Sequence, residues 1–314
     1  MSGPVTDADS APLAVTDQPS AACVELSDSR DELVGRIRVR RALPRRGRRT
    51  IGAWCFADHM GPADVDERNG LSIGAHPHIG LQTVTWLLDG QVLHRDSLGS
   101  EQVITPGQLN LMTAGHGVSH SEEGTGHRGT VEGAQLWVAQ PSGTRDSAPA
   151  FEHHGELPQV EYGNAVATVL VGELGDTLSP ARRDTPLVGA DLALHDGSAV
   201  LPLRRDWEYG LIVLRGGVAL DDQVIEPGRL AYLGEGRDEL TLDAVEPTRA
   251  LLLGGEPLGE KITMWWNFVG RSRDEIDCAY QSWQAQDDRF GRVGSALPRI
   301  PAPPPHWQQP AAGL

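Results

Sequence analysis

Two pairs of side chains with metal-binding atoms stand at alternate positions of this chain: His76 and His78 in AHPHIG, and His120 and Glu122 in SHSEE. In an extended strand, alternate side chains leave the same face, so each pair would present its two groups side by side. Two such strands brought together can close a pocket with three imidazoles and one carboxylate. That set suits a divalent transition metal such as Fe(II), Mn, Co, Ni, Cu or Zn, and is too rich in nitrogen for calcium or magnesium. HxH pairs also arise by chance, and purely structural histidines are the simpler alternative. Two pairs at strand spacing, with Gly115 and Gly117 allowing a sharp turn before the second, favour metal binding. A competing pair, His116 with His120, has the spacing of a helical zinc site, but the same two glycines argue against a helix there.

The elements that must position these groups read as short strands. Val84–Leu88, Val103–Ile104, Leu109–Met112, Ala134–Val138, Val166–Val171, Leu211–Leu214, Leu230–Leu233 and Ala250–Leu253 are each bounded by Gly, Pro, Asn or Asp, a spacing that suits barrels or sandwiches better than βαβ units. The chain also echoes itself. WLLDGQVLHRDSLGSEQVITPGQLNLMTAG (86–115) is matched by VLRGGVALDDQVIEPGRLAYLGEG (213–236), with VITPGQLNLM aligned to VIEPGRLAYL, and the two Pro-Gly turns lie about one domain length apart. Two related β domains in tandem follow. One stretch is helical: Ser272 and Glu275 have capping-box spacing, and Ile276, Ala279, Tyr280 and Trp283 fall on one face, which predicts a helix packed on a barrel exterior.

With 314 residues, the chain can form two domains with real cores. Residues 1–20 read as a disordered leader, 21–150 and 151–297 as the two domains, and 298–314 as an extended proline-rich tail. Three scattered cysteines, Cys23, Cys55 and Cys278, build neither a disulfide framework nor a CxxC site, and a reducing cytoplasm is the expected location. The amino terminus lacks a signal-peptide pattern, and no apolar run has spanning length. A net charge of −16 argues against general binding to nucleic acid or to an anionic membrane. The arginine-rich run GRIRVRRALPRRGRR reads as an exposed strand edge, with Ile37 and Val39 turned inward and Arg36, Arg38, Arg40, Arg41, Arg45, Arg46, Arg48 and Arg49 in solvent.

AHPHIGLQTVTWLLDGQVLHRDSLG followed by ITPGQLNLMTAGHGVSHSEE resembles the amino-terminal cupin domain of the pirin family. Upstream, RRALPRRGRRTIGAWCFADHMGP resembles the opening strands of that family, and GGEPLGEKITMWWNFVGRSRDEI the signature of its carboxy-terminal domain. The resemblance implies an all-β bicupin: tandem cupin barrels, each a double-stranded β-helix, with a short carboxy-terminal helix and a single non-haem metal in the first barrel. It assigns the metal ligands to His76, His78, His120 and Glu122, with Fe(II) the expected metal. Many members read HPHRGFET where this chain has HPHIGLQT, so Ile79, Leu81 and Gln82 depart from the pattern, as does His116. With an amide at Gln82, Glu122 carries more weight as the carboxylate ligand.

Some pirins are similar in activity to quercetin 2,3-dioxygenases, which open a flavonol ring with O₂ and release carbon monoxide. The implied reading is a flavonol and O₂ as substrates, Glu122 as ligand and general base, and a pocket between the barrels lined by residues such as Leu81, Leu109, Leu111 or Met112. The alternative is a metal- and redox-sensing protein that acts through a protein partner without turnover, as the pirins of animals resemble. A third reading makes the histidines relics. His94, with Arg95 and Asp96, matches a common family stretch, for which a turn-stabilising role competes with a catalytic one. His59 and His127 read as surface or structural residues.

Overall fold

In the computed structural model, residues 24–66 and 70–308 are described, so the expected leader at 1–20, Cys23 and the end of the tail lie outside the described residues. All eight strands expected from the sequence fall inside observed ones. They assemble into two pairs of facing sheets. In the first pair, the larger sheet runs Ala150–His154, Leu109–Thr113, Leu81–Asp89, Gly129–Ala139, Trp54–Val65, Ile37–Leu43, Arg30–Val34, and the smaller runs Ser72–His78, Val118–Glu123, Val92–Asp96, Glu101–Ile104. The second pair repeats this plan. Its larger sheet runs Glu25–Asp28, Arg229–Gly234, Glu208–Arg215, Thr248–Gly255, Leu187–Leu194, Ala165–Leu174, Gln159–Tyr162, and its smaller one Gly197–Pro202, Glu239–Ala244, Val218–Leu220, Gln223–Ile225. All strand pairings between named strands are antiparallel.

The internal echo of the sequence is therefore structural. Each Pro-Gly turn closes with a hydrogen bond, Gln108 N to Thr105 O and Arg229 N to Glu226 O, and Gly107 and Gly228 both have φ near +85° (85 and 84). Proline pre-sets the first central position of such a turn, and the positive φ at the second requires glycine. The edge strands are exchanged. Glu25–Asp28, which precedes the first barrel in the chain, pairs with Arg229–Gly234 of the second, and Ala150–His154, which precedes the second barrel, pairs with Leu109–Thr113 of the first.

The two larger sheets pack face to face. Val84, Trp86, Leu109, Leu111 and Leu136 of the first form one buried cluster with Leu187, Ile212, Leu214, Leu251 and Leu253 of the second. Polar ties cross the same boundary: Trp86 Nε1 donates to Asp191 (3.1 Å), Gly52 N to Glu208 (2.7 Å), and Arg215 pairs with Glu132. Of the residues offered as pocket lining, Leu109 and Leu111 are buried in this interface cluster, whereas Leu81 and Met112 pack with Phe56 and Trp137.

Chain from the second half returns to the first barrel. The short strands Thr263–Trp265 and Phe268–Gly270 pair with each other, Phe268 bridges to Ile79, and Ile262, Met264 and Val269 pack on Cys55, Phe56, Leu81 and Met112. The helix Arg273–Ala285 is capped by Ser272, whose hydroxyl accepts from Glu275 N (3.2 Å), and it buries Ile276, Ala279 and Trp283. The Glu275 carboxylate does not complete a capping box; it takes Arg145 and the Arg271 N–H instead. The proline-rich segment is fastened to the first barrel and its described part ends in a 3-10 turn, His306–Gln308: Ile300 N donates to Ala75 O (2.9 Å), and the Pro298 carbonyl lies so close to Gly74 that a Cβ there would come within 1.7 Å of it.

The arginine run also needs a correction: its strand, Ile37–Leu43, is paired on both sides, with Arg30–Val34 and Trp54–Val65, and is no edge. Ile37 and Val39 turn inward as expected, but Arg41 is 1 % exposed and makes two 2.8 Å hydrogen bonds to the buried Asp58 carboxylate. Among the described residues, no helix is long and apolar enough to cross a membrane.

Candidate metal centre

His76 and His78 lie on Ser72–His78 and His120 on Val118–Glu123, neighbouring strands of the small sheet, with His76 directly opposite His120. Because alternate side chains share a face, all three imidazoles enter the first barrel. Their ligand atoms lie within 4.8 Å of one another, all three are at most 1 % exposed, and their ring centroids are 4.3 to 5.2 Å apart. Glu122 is buried on the same strand as His120 but stands outside that close group. A register shift intervenes: His120 faces His76, whereas Glu122 faces Ile73, so the opposite strand carries one extra residue between them.

The ring hydrogen bonds fix which nitrogen points inward. His76 Nδ1 lies 3.0 Å from Gly74 O, and His78 Nδ1 lies 3.1 Å from Asn267 O. A carbonyl only accepts, so each Nδ1 carries the proton and each Nε2 keeps its lone pair. His76 Nε2 is buried with no hydrogen-bond partner, and His78 Nε2 and His120 Nε2 stand 3.0 Å apart. Three convergent imidazole nitrogens, with that of His76 unmatched, fit a cation of borderline softness.

Electrostatics keeps the ligands in their binding form. Burial pushes the His76 imidazole down to about 4, with the Glu122 carboxylate opposing the shift. His78 and His120 are held well below the usual imidazole range, first by burial and then by their neighbouring imidazoles. Burial by itself would raise the Glu122 carboxyl, yet it lies below its ordinary value.

The wall of the barrel is layered. Next to the histidines come Phe56, Trp137, Thr83, Met112 and Phe151, which are laterally paired across five strands; Trp137 meets His78 edge-on at 5.3 Å. One rung further, Arg41, Asp58, Gln135, Thr85, Asn110 and His153 form a polar layer in the same manner. Sequence reasoning missed this second layer, since its members are spaced through the chain and share a face only once the register is known. It also missed Asn267, whose carbonyl reaches His78 from 189 residues away. Gln82 is buried and donates to the Thr113 hydroxyl (3.0 Å). His116 lies outside the triad, beside a cavity of about 240 Å³ that Ile79, Arg145, Cys278 and Arg289 also line. His59 is buried and contacts Glu132 at 2.9 Å, a structural placement, and His127 is partly exposed.

Paired antiparallel barrels with an inward histidine triad in one of them define a bicupin. Family models agree: residues 36–138 match Pirin and residues 189–291 match the Pirin C-terminal cupin domain. A Pseudomonas aeruginosa protein provisionally named a quercetin 2,3-dioxygenase is 50 % identical over 279 residues, covering 88 % of this chain and 89 % of that one. A pirin-like protein of Caulobacter vibrioides is 37 % identical, covering 82 % and 92 %. A solved quercetin 2,3-dioxygenase from Acinetobacter baumannii superposes with a TM-score of 0.88 at 41 % identity, covering 91 % of this chain and 97 % of that one. The chain belongs to the pirin family.

Proposed function

We propose that the protein is a mononuclear non-haem metal enzyme that opens flavonols with O₂, as quercetin 2,3-dioxygenases do. The observation that carries this reading is the triad of imidazoles whose ligand atoms converge within 4.8 Å in a buried barrel. His76, His78 and His120 would hold the metal, with Glu122, two residues beyond His120 on the same strand, as the carboxylate ligand; Fe(II) is the metal proposed. Bound there, it would supply the Lewis acidity that makes a flavonol 3-hydroxyl easier to ionise.

Glu122 takes the hydroxyl proton. Its carboxyl sits below the ordinary range, so it is a weak base that works only on an acidified hydroxyl. Phe56, Trp137, Met112 and Phe151 offer flat apolar surface beside the triad. The buried donors Trp137 Nε1, Gln135 Nε2 and Asn110 Nδ2 lack acceptors, which favours a guest rich in oxygen. Close identity to named relatives supports the same substrate class.

The test reconstitutes the protein separately with Fe(II), Mn, Co, Ni, Cu and Zn, then follows oxygen uptake and carbon monoxide release with quercetin. Stoichiometric metal and turnover are expected. Glu122→Ala is expected to lower kcat by about 10²- to 10⁴-fold while metal remains bound. Failure of all six metals to bind stoichiometrically would sink the reading.

A further inference from the structure

The polar rung of the first barrel holds more hydrogen-bonding groups than it satisfies. Gln135 and Asn110 are 1 % and 3 % exposed. Gln135 Oε1 accepts from the Thr85 hydroxyl at 3.0 Å, and Asn110 Oδ1 lies 2.7 Å from His153 Nδ1, which leaves both amide nitrogens without an acceptor. Turning either amide over exchanges the matched end for the other and still leaves one end over. One layer nearer the histidines, Trp137 Nε1 is buried and also lacks an acceptor. Buried groups of this kind are normally matched, and three on one inner wall point to a ligand that completes them.

That wall lies on the side of the triad where Glu122 stands. Gln140 N donates to Gly80 O at 2.9 Å, so the strands that carry Trp137 and His78 run out at the same end of the barrel. Going from Trp137 to Gln135 therefore leads the same way as going from His78 to His76, which faces His120 on the strand that continues to Glu122. The distance covered is roughly 7 Å, which one hydroxylated ring can bridge. Across the rung, Gln135 and Asn110 flank Thr85 from its two sides, two strand spacings or about 10 Å apart. Charge narrows the class of ligand. Arg41 is matched by Asp58, so the rung offers dipoles and no net charge. A carboxylate there would be buried without a counter-ion. A phenolic hydroxyl both donates and accepts, and so completes either end of an amide.

We propose that Asn110 and Gln135 form a subsite for the ring hydroxyls of the substrate, remote from the 3-hydroxyl whose proton goes to Glu122, so that this barrel selects polyhydroxylated flavonols over the bare skeleton. The inference rests on the flavonol reading above and adds to it the residues that discriminate. Its test compares quercetin with 3-hydroxyflavone, which keeps the 3-hydroxyl and the 4-carbonyl and lacks every other hydroxyl. Both are titrated without oxygen into the metal-loaded full-length protein, and calorimetry reads binding separately from turnover. The parent is expected to bind quercetin about 10- to 100-fold more tightly. Asn110→Leu and Gln135→Met nearly keep the size of each side chain and remove its hydrogen bonds. Each is expected to lower quercetin affinity about 10-fold, to leave 3-hydroxyflavone within about twofold, and to leave metal stoichiometry unchanged. The parent's own preference stands as a test where a variant does not fold. Equal affinity of the parent for the two compounds, variants that weaken both alike, or variants that leave the preference as it was would each overturn the subsite. If neither compound binds the parent, the flavonol reading falls and the subsite with it. Selective quercetin binding without turnover would keep the subsite and remove the oxygenase reading alone.

Discussion

The two barrels share strand order, turn type and edge treatment, yet their interiors have opposite chemistry. In the first, His76 stands opposite His120, and the walls carry Arg41, Asp58, Gln135, Thr85 and Asn110. At the matching pairs of strands in the second, Leu201 stands opposite Leu240 and Ala199 opposite Leu242, inside a cluster of Val, Leu, Ala, Trp and Tyr side chains. One scaffold has thus been filled in two ways. Close aliphatic packing makes the second barrel a rigid support, while buried polar groups make the first a site whose stability depends on every partner being present.

That contrast can be broken most severely at the triad. His76→Ala should abolish stoichiometric metal uptake by elemental analysis while the protein still folds, as circular dichroism of the metal-free variant would show. Asp58→Ala should cost about 3–5 kcal/mol in urea unfolding, because it strands a buried Arg41 charge. Leu201→Ala, in the second barrel, should cost about 2–5 kcal/mol by the same measurement and leave metal stoichiometry intact, as a packing defect would. Metal at a hundredfold excess over its Kd should return about 2.7 kcal/mol, and hydrogen exchange should place the added protection in the first barrel. The smallest effect lies between the barrels. Burial would raise the Glu132 carboxyl, but hydrogen bonds from His59 and Arg215 carry it down to about 2 from an ordinary 4.5. A carboxyl lowered on folding stabilises fully above its unfolded value and loses that contribution as pH falls through the folded one. Because Arg215 also helps to hold the neighbouring His59 imidazole below its ordinary 6.5, the difference in urea midpoint between the parent and Arg215→Ala should be constant above pH 6.5 and shrink as the pH drops toward 2.

What the sequence revealed and what it hid follow from the range of the interactions. Strands were legible because alternation and Pro-Gly punctuation are local, and the tandem plan because VITPGQLNLM and VIEPGRLAYL keep the same turn. The triad was legible because His76, His78 and His120 obey strand spacing. The Glu122 position was only half legible, since a shift of pairing beside it leaves no mark in its own strand. Arg41 looked like one more exposed charge until its partner, Asp58, came beside it from the next strand of the sheet. His94 and Asp96 read as a turn motif because the sheet pairing that sets them beside Glu122 and His120 leaves no local mark in the chain.

The reciprocal placement of Glu25–Asp28 and Ala150–His154 bears on how such a chain can arise and be divided. Each half lends the other a border segment, so a half made alone would leave an open row of amide and carbonyl groups ready to recruit a second copy. Cutting near residue 150 should give sticky fragments, and mixing the two fragments should restore solubility better than either can alone. A chain whose halves trade margins in this way depends on both of them being present.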